Sequence, residues 1–226
     1  EDRYGAHNYH PLPVVLNKGE GVFLWDIEGN KYYDFLSAYS AINQGHCHPR
    51  IINALILQAK ELTLTSRAFY NDKLGIAEKY VCETFGYDKA LFMNSGAEAN
   101  ENALKLASFH TGRRKIVSFN KAFHGRTSLT VASTDNRSIV APVNETGNIT
   151  FLPFNDISAL EEYFSDHGTE TAAVILEAIQ GVGGINVAEE SFLHAIRQLC
   201  DKHGSLMIAD EVQCGYGRTG KFFALD

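Results

Sequence analysis

Three apolar runs of strand length, at 115–119, 172–176 and 206–209, are separated by stretches whose apolar residues recur three and four apart. A strand that returns to a parallel neighbour must cross over through another element, and a helix is the usual one. Strand–helix–strand order therefore predicts an α/β fold built on a mostly parallel, doubly wound sheet. The intervening segments agree with this: 157–164 and 191–203 have helical spacing, and Gly204 stands where the second helix must stop. Ligands of such a sheet bind outside the carboxyl ends of its strands.

The first part of the chain has a different character. From Gly21 to Leu36 the residues are aromatic and β-branched around Glu28-Gly29-Asn30, which predicts a hairpin and a small antiparallel sheet. After His48-Pro49 the spacing becomes helical, with Ile51, Ala54, Leu55, Leu57 and Ala59 near one face. Further helices are expected at 74–85 and 97–109. The division expected is 1–50, part of a small α+β domain, and 51–226, a larger domain.

Composition excludes several functions. Lys and Arg total 20 against 27 Asp and Glu, so a net charge of -7 gives no general attraction to nucleic acid or anionic membranes. The apolar runs are far too short to span a bilayer. The opening Glu1-Asp2-Arg3-Tyr4-Gly5 lacks the apolar core of a secretory signal, which favours a cytoplasmic location. Cys47, Cys82, Cys200 and Cys214 fall at no disulfide-framework or zinc spacing and read as reduced, while His46-Cys47-His48 is followed by no further ligand set. No metal is expected. A dinucleotide-binding oxidoreductase ranks last, because no Gly-x-Gly-x-x-Gly turn follows the first strand.

Three places carry chemistry. In Asn94-Ser95-Gly96-Ala97-Glu98, a serine followed three residues later by glutamate forms a capping box, and glycine lets an anion approach a helix amino terminus. The motif suits either an ordinary capped helix or a phosphate site. In Ile208-Ala209-Asp210-Glu211-Val212-Gln213, acidic residues end an apolar strand. Asp210 is either a solvated strand end or a carboxylate that keeps a pyridine nitrogen protonated. In Lys121-Ala122-Phe123-His124-Gly125-Arg126, the aromatic ring can stack on a planar cofactor and the guanidinium can clamp a carboxylate with two parallel bonds.

Taken together and in this order, the three motifs resemble the class III aminotransferases of the fold type I pyridoxal-phosphate family. Tyr4-Gly-Ala-His-Asn-Tyr9-His-Pro-Leu-Pro13, Ser37-Ala-Tyr39-Ser-Ala-Ile-Asn-Gln-Gly-His-Cys-His-Pro49 and Leu62-Thr-Leu-Thr-Ser-Arg-Ala-Phe-Tyr70 look like the ornithine aminotransferases. The resemblance implies that 51–226 is a pyridoxal-phosphate-binding large domain. In it, Ser95, Gly96 and Ala97 would hold the cofactor phosphate, Phe123 and Val212 would flank the ring, Asp210 would pair with its nitrogen, and Gln213 would reach the phenolic oxygen. Glu177 would support this network, and His124 belongs with the cofactor-binding set. Arg126 would hold the substrate α-carboxylate, with Tyr9 and Tyr39 around the ornithine side chain.

The same resemblance implies transfer of the δ-amino group of ornithine to 2-oxoglutarate, giving glutamate semialdehyde and glutamate, in a homodimer. It places the Schiff-base lysine beyond Asp226, so that no catalytic residue is assigned within the chain, which reads as truncated; Lys221 reads as a loop residue. Two departures divide the substrate reading. Asn94-Ser-Gly-Ala-Glu-Ala-Asn-Glu-Asn-Ala-Leu-Lys105 and Ile179-Gln-Gly-Val-Gly-Gly-Ile185 look more like N-acylornithine aminotransferases, and Val182 stands where the family usually has a glutamate that pairs with arginine. The alternatives are an N-acetyl- or N-succinylornithine aminotransferase, an enzyme of the same fold acting on a different amine, and an inactive, cofactor-binding fragment or pseudoenzyme.

Overall fold

In the computed structural model, which describes residues 1–226, the aromatic segment after Gly21 forms the hairpin its turn predicts. Strands β1 (Leu16–Glu20), β2 (Phe23–Asp26) and β3 (Lys31–Tyr33) make an antiparallel sheet in that order. The β2–β3 turn is built on the Asp26 carboxylate. It accepts from the backbone N–H of Glu28 (3.0 Å) and Asn30 (2.8 Å), the Asn30 amide (2.9 Å) and the Tyr32 hydroxyl (2.7 Å). These donors, the Asn30 amide first, hold its carboxyl down at about 2.

Short α1 (Ser37–Ser40) is a left-handed turn. Its four non-glycine residues have φ of 49°, 47°, 57° and 73°, a conformation that costs about 1–2 kcal/mol per residue. Asp34 secures its start by accepting from the N–H of Leu36 (3.0 Å) and Ser37 (2.8 Å), and its other oxygen meets His46 Nε2 at 2.7 Å. That pairing accounts for His46 in the His46-Cys47-His48 run.

Helices α2 (Pro49–Glu61) and α3 (Asp72–Phe85) follow, α2 with Pro49 in its first turn. The apolar residues that share one face of α2 are exposed in this chain, Leu55 by 64%. The chain divides into two compact units, Glu1–Lys73 and Leu74–Asp226, so α2 falls in the first unit, whereas the sequence reading changes domain near residue 50.

The second unit carries the doubly wound domain. Helix α4 (Gly96–Thr111) leads to β4 (Lys115–Phe119), α5 (Ser128–Ala132), β5 (Ile149–Leu152), α6 (Ile157–His167) and β6 (Thr171–Leu176). A small antiparallel pair, β7 (Ile179–Gln180) and β8 (Asn186–Val187), precedes α7 (Glu190–His203) and β9 (Leu206–Ala209). The sheet has the order β5-β4-β6-β9, all parallel. Its three inner and right-hand strands are those read from sequence. β5 was not expected: it is short, bracketed by Gly147-Asn148 and Pro153, and pairs on one side only, so little in its pattern marks it.

Alternation along the strands sends side chains to two layers. Ile116 and Ile175 pack with Leu104 of α4 on one face, while Val117, Phe119, Val174 and Leu176 pack with Leu160 and Phe164 of α6 and Phe192 and Ile196 of α7 on the other. Phe119, Phe164 and Phe192 are fully buried, each worth roughly 1.5–3 kcal/mol. Helix α7 stops at Gly204, whose left-handed conformation (φ 66°) is the expected cap. All four cysteines are free, and burial pushes the Cys200 and Cys214 thiols up to about 12. No helix is long and apolar enough to cross a membrane.

Candidate active site

From β4 the chain runs outward to β5, while from β6 it runs the opposite way to β9. The crossovers therefore diverge between β4 and β6, and a crevice opens at their carboxyl ends. The loop after β4, the end of β6 and the end of β9 meet there, together with the amino terminus of α4.

Ser95 is the N-cap of α4, and its Oγ accepts from the Glu98 N–H at 3.2 Å. The expected capping box closes one residue earlier than its usual form, because Glu98 Oε2 accepts from the N–H of Asn94 (2.8 Å) instead of Ser95. The Ala99 N–H is taken by the Ser95 carbonyl at 3.0 Å, which leaves Gly96 and Ala97 as the unclaimed donors of the first turn. Gly96 also meets a steric demand that the sequence does not reveal: a Cβ there would lie 2.6 Å from both methyls of Val212.

The loop carrying Phe123, His124 and Arg126 lies against this helix end. Gly125 has φ 135°, and a Cβ on it would come within 2.7 Å of the Ala97 Cβ, so only glycine permits the approach. Glu101 of α4 reaches the far side of the loop, where its carboxylate accepts from the Thr127 hydroxyl (2.6 Å) and the N–H groups of Leu129 (3.0 and 2.9 Å) and Thr130 (3.2 Å). It satisfies the amino end of α5 and holds the segment that follows exposed Arg126.

Glu177, directly after β6, is buried, and its two oxygens accept from the N–H of Phe123 (2.9 Å) and Gly181 (3.2 Å). Burial pushes its carboxyl above the ordinary range against the pull of those bonds. Phe123 itself is half-buried. Gln213, half-buried, lays its side chain on Gly181, where a Cβ would lie 2.0 Å from Gln213 Oε1.

Asp210 is not a solvated strand end: it is 5% exposed. Its Oδ2 accepts from His124 Nδ1 (2.8 Å) and Asn100 Nδ2 (2.7 Å), and its Oδ1 accepts from the Val212 N–H (3.1 Å). Asn100 also donates to the His124 carbonyl at 3.0 Å. Sequence reading missed Asn100, although it interrupts the buried stripe of α4 that continues through Leu104 and Ala107, a polar residue where an apolar one belongs. The His124 ring is enclosed, and Nε2 is left without a partner in the chain. A cleft of about 490 Å³ adjoins this cluster, lined by Ser95, Gly96, Asn100, Glu211, Val212 and Tyr216 among others.

The second unit thus brings together Ser95, Gly96, Ala97, Phe123, His124, Glu177, Asp210, Val212 and Gln213. Tyr9 and Tyr39 lie in the first unit, both exposed, Tyr39 on the left-handed turn. Lys221 is an exposed residue in a run of turns and bends, and its Nζ donates to the Asp226 carbonyl.

The donor set suits pyridoxal phosphate. Two free N–H groups at a helix amino terminus match a phosphate, and a buried carboxylate held by side-chain and backbone donors matches a cationic ring nitrogen. The unpartnered His124 Nε2 marks the same cluster as having polar capacity that the chain alone does not use.

Comparison with known proteins agrees. Residues 4–226 match the aminotransferase class-III family. The chain is 48% identical over 240 residues to the mitochondrial ornithine aminotransferase of Drosophila melanogaster, covering 100% of this chain and 54% of that protein. It superimposes on the ornithine aminotransferase of Toxoplasma gondii with a TM-score of 0.92 at 41% identity, covering 99% of this chain and 54% of that one. A second structure of that enzyme describes partial occupancy of PLP at its active site. The acetylornithine aminotransferase of Elizabethkingia anophelis matches with a TM-score of 0.82 at 49% identity, over 99% and 54% of the two chains. The chain spans about half the length of the curated relatives it matches.

Proposed function

The chain belongs to the class-III aminotransferases, a pyridoxal-phosphate-dependent family, and from that premise we propose that it binds this cofactor and serves an enzyme that transfers the δ-amino group of ornithine to 2-oxoglutarate. The products are glutamate semialdehyde and glutamate. The observation that carries the reading is the buried, three-donor carboxylate of Asp210 at the mouth of the sheet, beside a helix amino terminus with two free N–H groups.

When bound, pyridoxal phosphate supplies an electron-withdrawing ring that makes the bonds at an amine-bearing carbon labile. The protein's own part is positioning and electrostatics. Gly96 and Ala97 N–H groups, with Ser95, hold the phosphate. Asp210 keeps a positive charge in place at the ring nitrogen. Phe123 and Val212 bound the two ring faces, and Gln213 serves the phenolic oxygen. Glu177 pins Phe123 through its backbone. Arg126 holds the substrate carboxylate as a planar, two-bond clamp, and Tyr9 and Tyr39 belong to the ornithine side chain. A homodimer is the proposed assembly.

A second reading, an N-acylornithine donor, is favoured by one feature. Val182, on the exposed β7–β8 connection, cannot make the ion pair that a glutamate would make there. A donor competition assay on the full-length protein, with ornithine and N-acetylornithine offered together with 2-oxoglutarate, separates the two. Preferred consumption of ornithine is the expected result. Preference for the acylated donor moves specificity to the second reading, and turnover of neither overturns both.

A further inference from the structure

We propose that Asn100 is a positioning residue for the chemistry at Asp210, holding its carboxylate so that one defined lone pair remains for the cofactor's ring nitrogen. This rests on the role given to Asp210 above. Asn100 is 5% exposed on a helix stripe that otherwise buries Leu104 and Ala107. An amide in that place is costly unless its hydrogens find acceptors. Both do, since Nδ2 donates to the His124 carbonyl and to Asp210 Oδ2. A carbonyl and a carboxylate only accept, so the donating end of the amide is fixed in direction.

The acceptor sites of Asp210 can be counted. Each carboxylate oxygen offers two lone pairs. On Oδ2 they are taken by Asn100 Nδ2 and His124 Nδ1, and on Oδ1 one is taken by the Val212 N–H. One site is left, on Oδ1. Without Asn100 a second site opens on Oδ2, and two orientations of the carboxylate then offer a lone pair to the ring. The His124 carbonyl loses its donor as well, while the Phe123 N–H stays bound to Glu177, so the change is felt at Asp210. His124 cannot substitute, because its Nδ1 already occupies its own position on Oδ2 and its N–H is bound to Thr134 Oγ1 at 2.9 Å.

The test uses the full-length protein reconstituted with pyridoxal phosphate, as wild type, Asn100→Ala, Asn100→Ser, Asp210→Asn and the Asn100→Ala/Asp210→Asn double variant. Cofactor dissociation constants are measured by equilibrium dialysis, visible absorbance of the bound cofactor is followed against pH, and the apo-proteins are unfolded thermally. Asn100→Ala is expected to weaken retention about tenfold and to shift the pH midpoint of the absorbance, with Asn100→Ser recovering part of both. On the Asp210→Asn background, Asn100→Ala should add less than about twofold, because the two residues act through one contact. Additive losses, or an Asn100→Ala protein altered only in unfolding temperature, overturn the inference. Unchanged retention and absorbance in Asp210→Asn itself is a different result: it removes the underlying role of Asp210, and the inference falls with it.

Discussion

Asp210 shows how much a single side chain depends on its surroundings. A carboxylate at the end of an apolar strand is ordinary, but one enclosed by an imidazole, an amide and a backbone N–H is held in one place. In the full-length protein, Asp210→Ala is expected to lower turnover by roughly 10²–10³, in line with losing a preorganised electrostatic partner. Leaving the buried His124 and Asn100 donors without this acceptor should cost about 1–3 kcal/mol of stability each. Near-normal turnover with cofactor bound would remove Asp210 from its role. Arg126→Lys should raise the ornithine KM with less effect on kcat, because an ammonium cannot reproduce the planar clamp. A decarboxylated amine donor provides the control: if it loses as much as ornithine does, Arg126 is not the carboxylate anchor.

At the scale of elements, α4 organises the site through successive turns. Its first turn offers free N–H groups, its second places Asn100 under Asp210, and Glu101 beside it caps α5. The loop from Lys121 to Arg126 approaches the helix most closely at Gly125, and the Asn100 amide holds its His124 carbonyl. Gly125→Ala combines an unfavourable φ with a backbone-side clash at Ala97, and about 1–3 kcal/mol of destabilisation is expected in urea unfolding. Gly112→Ala is the matched comparison: its φ is 68° but nothing lies within 4 Å, so conformation alone should cost about 1 kcal/mol. Equal effects at the two positions would show that the contact with Ala97 contributes nothing.

At the scale of the whole molecule, the second unit has a two-layered core, whereas α2 and α3 bury none of their residues fully. Leu55, Ile76 and Tyr80 are each more than 60% exposed. Apolar surface of this kind on a folded chain drives association. The 226-residue chain by itself is therefore expected to sediment as larger species as its concentration rises. A monodisperse monomer at all concentrations would contradict this.

What the sequence by itself determined is local. The apolar runs of β4, β6 and β9, the helical spacing of α6 and α7, the Gly204 stop, the Ser95 cap and the Glu28-Gly29-Asn30 turn each follow from periodicity or from a conformational preference acting within a few residues. The resemblance of the motifs supplied candidate roles for the site without supplying their contacts. Only the tertiary structure decided that Asp210 is buried, that Gly96 is required by Val212, that Glu177 holds Phe123 across 54 residues, and that Asn100 meets Asp210 across 110. Helix α2 shows the converse limit, an apolar face legible in sequence whose burial the pattern could not guarantee. The physical reason is the same throughout. Backbone preference and hydrophobic period are encoded by neighbours along the chain, whereas a polar contact at the end of a parallel sheet depends on which strands become neighbours in space, and that is settled when the crossovers pack.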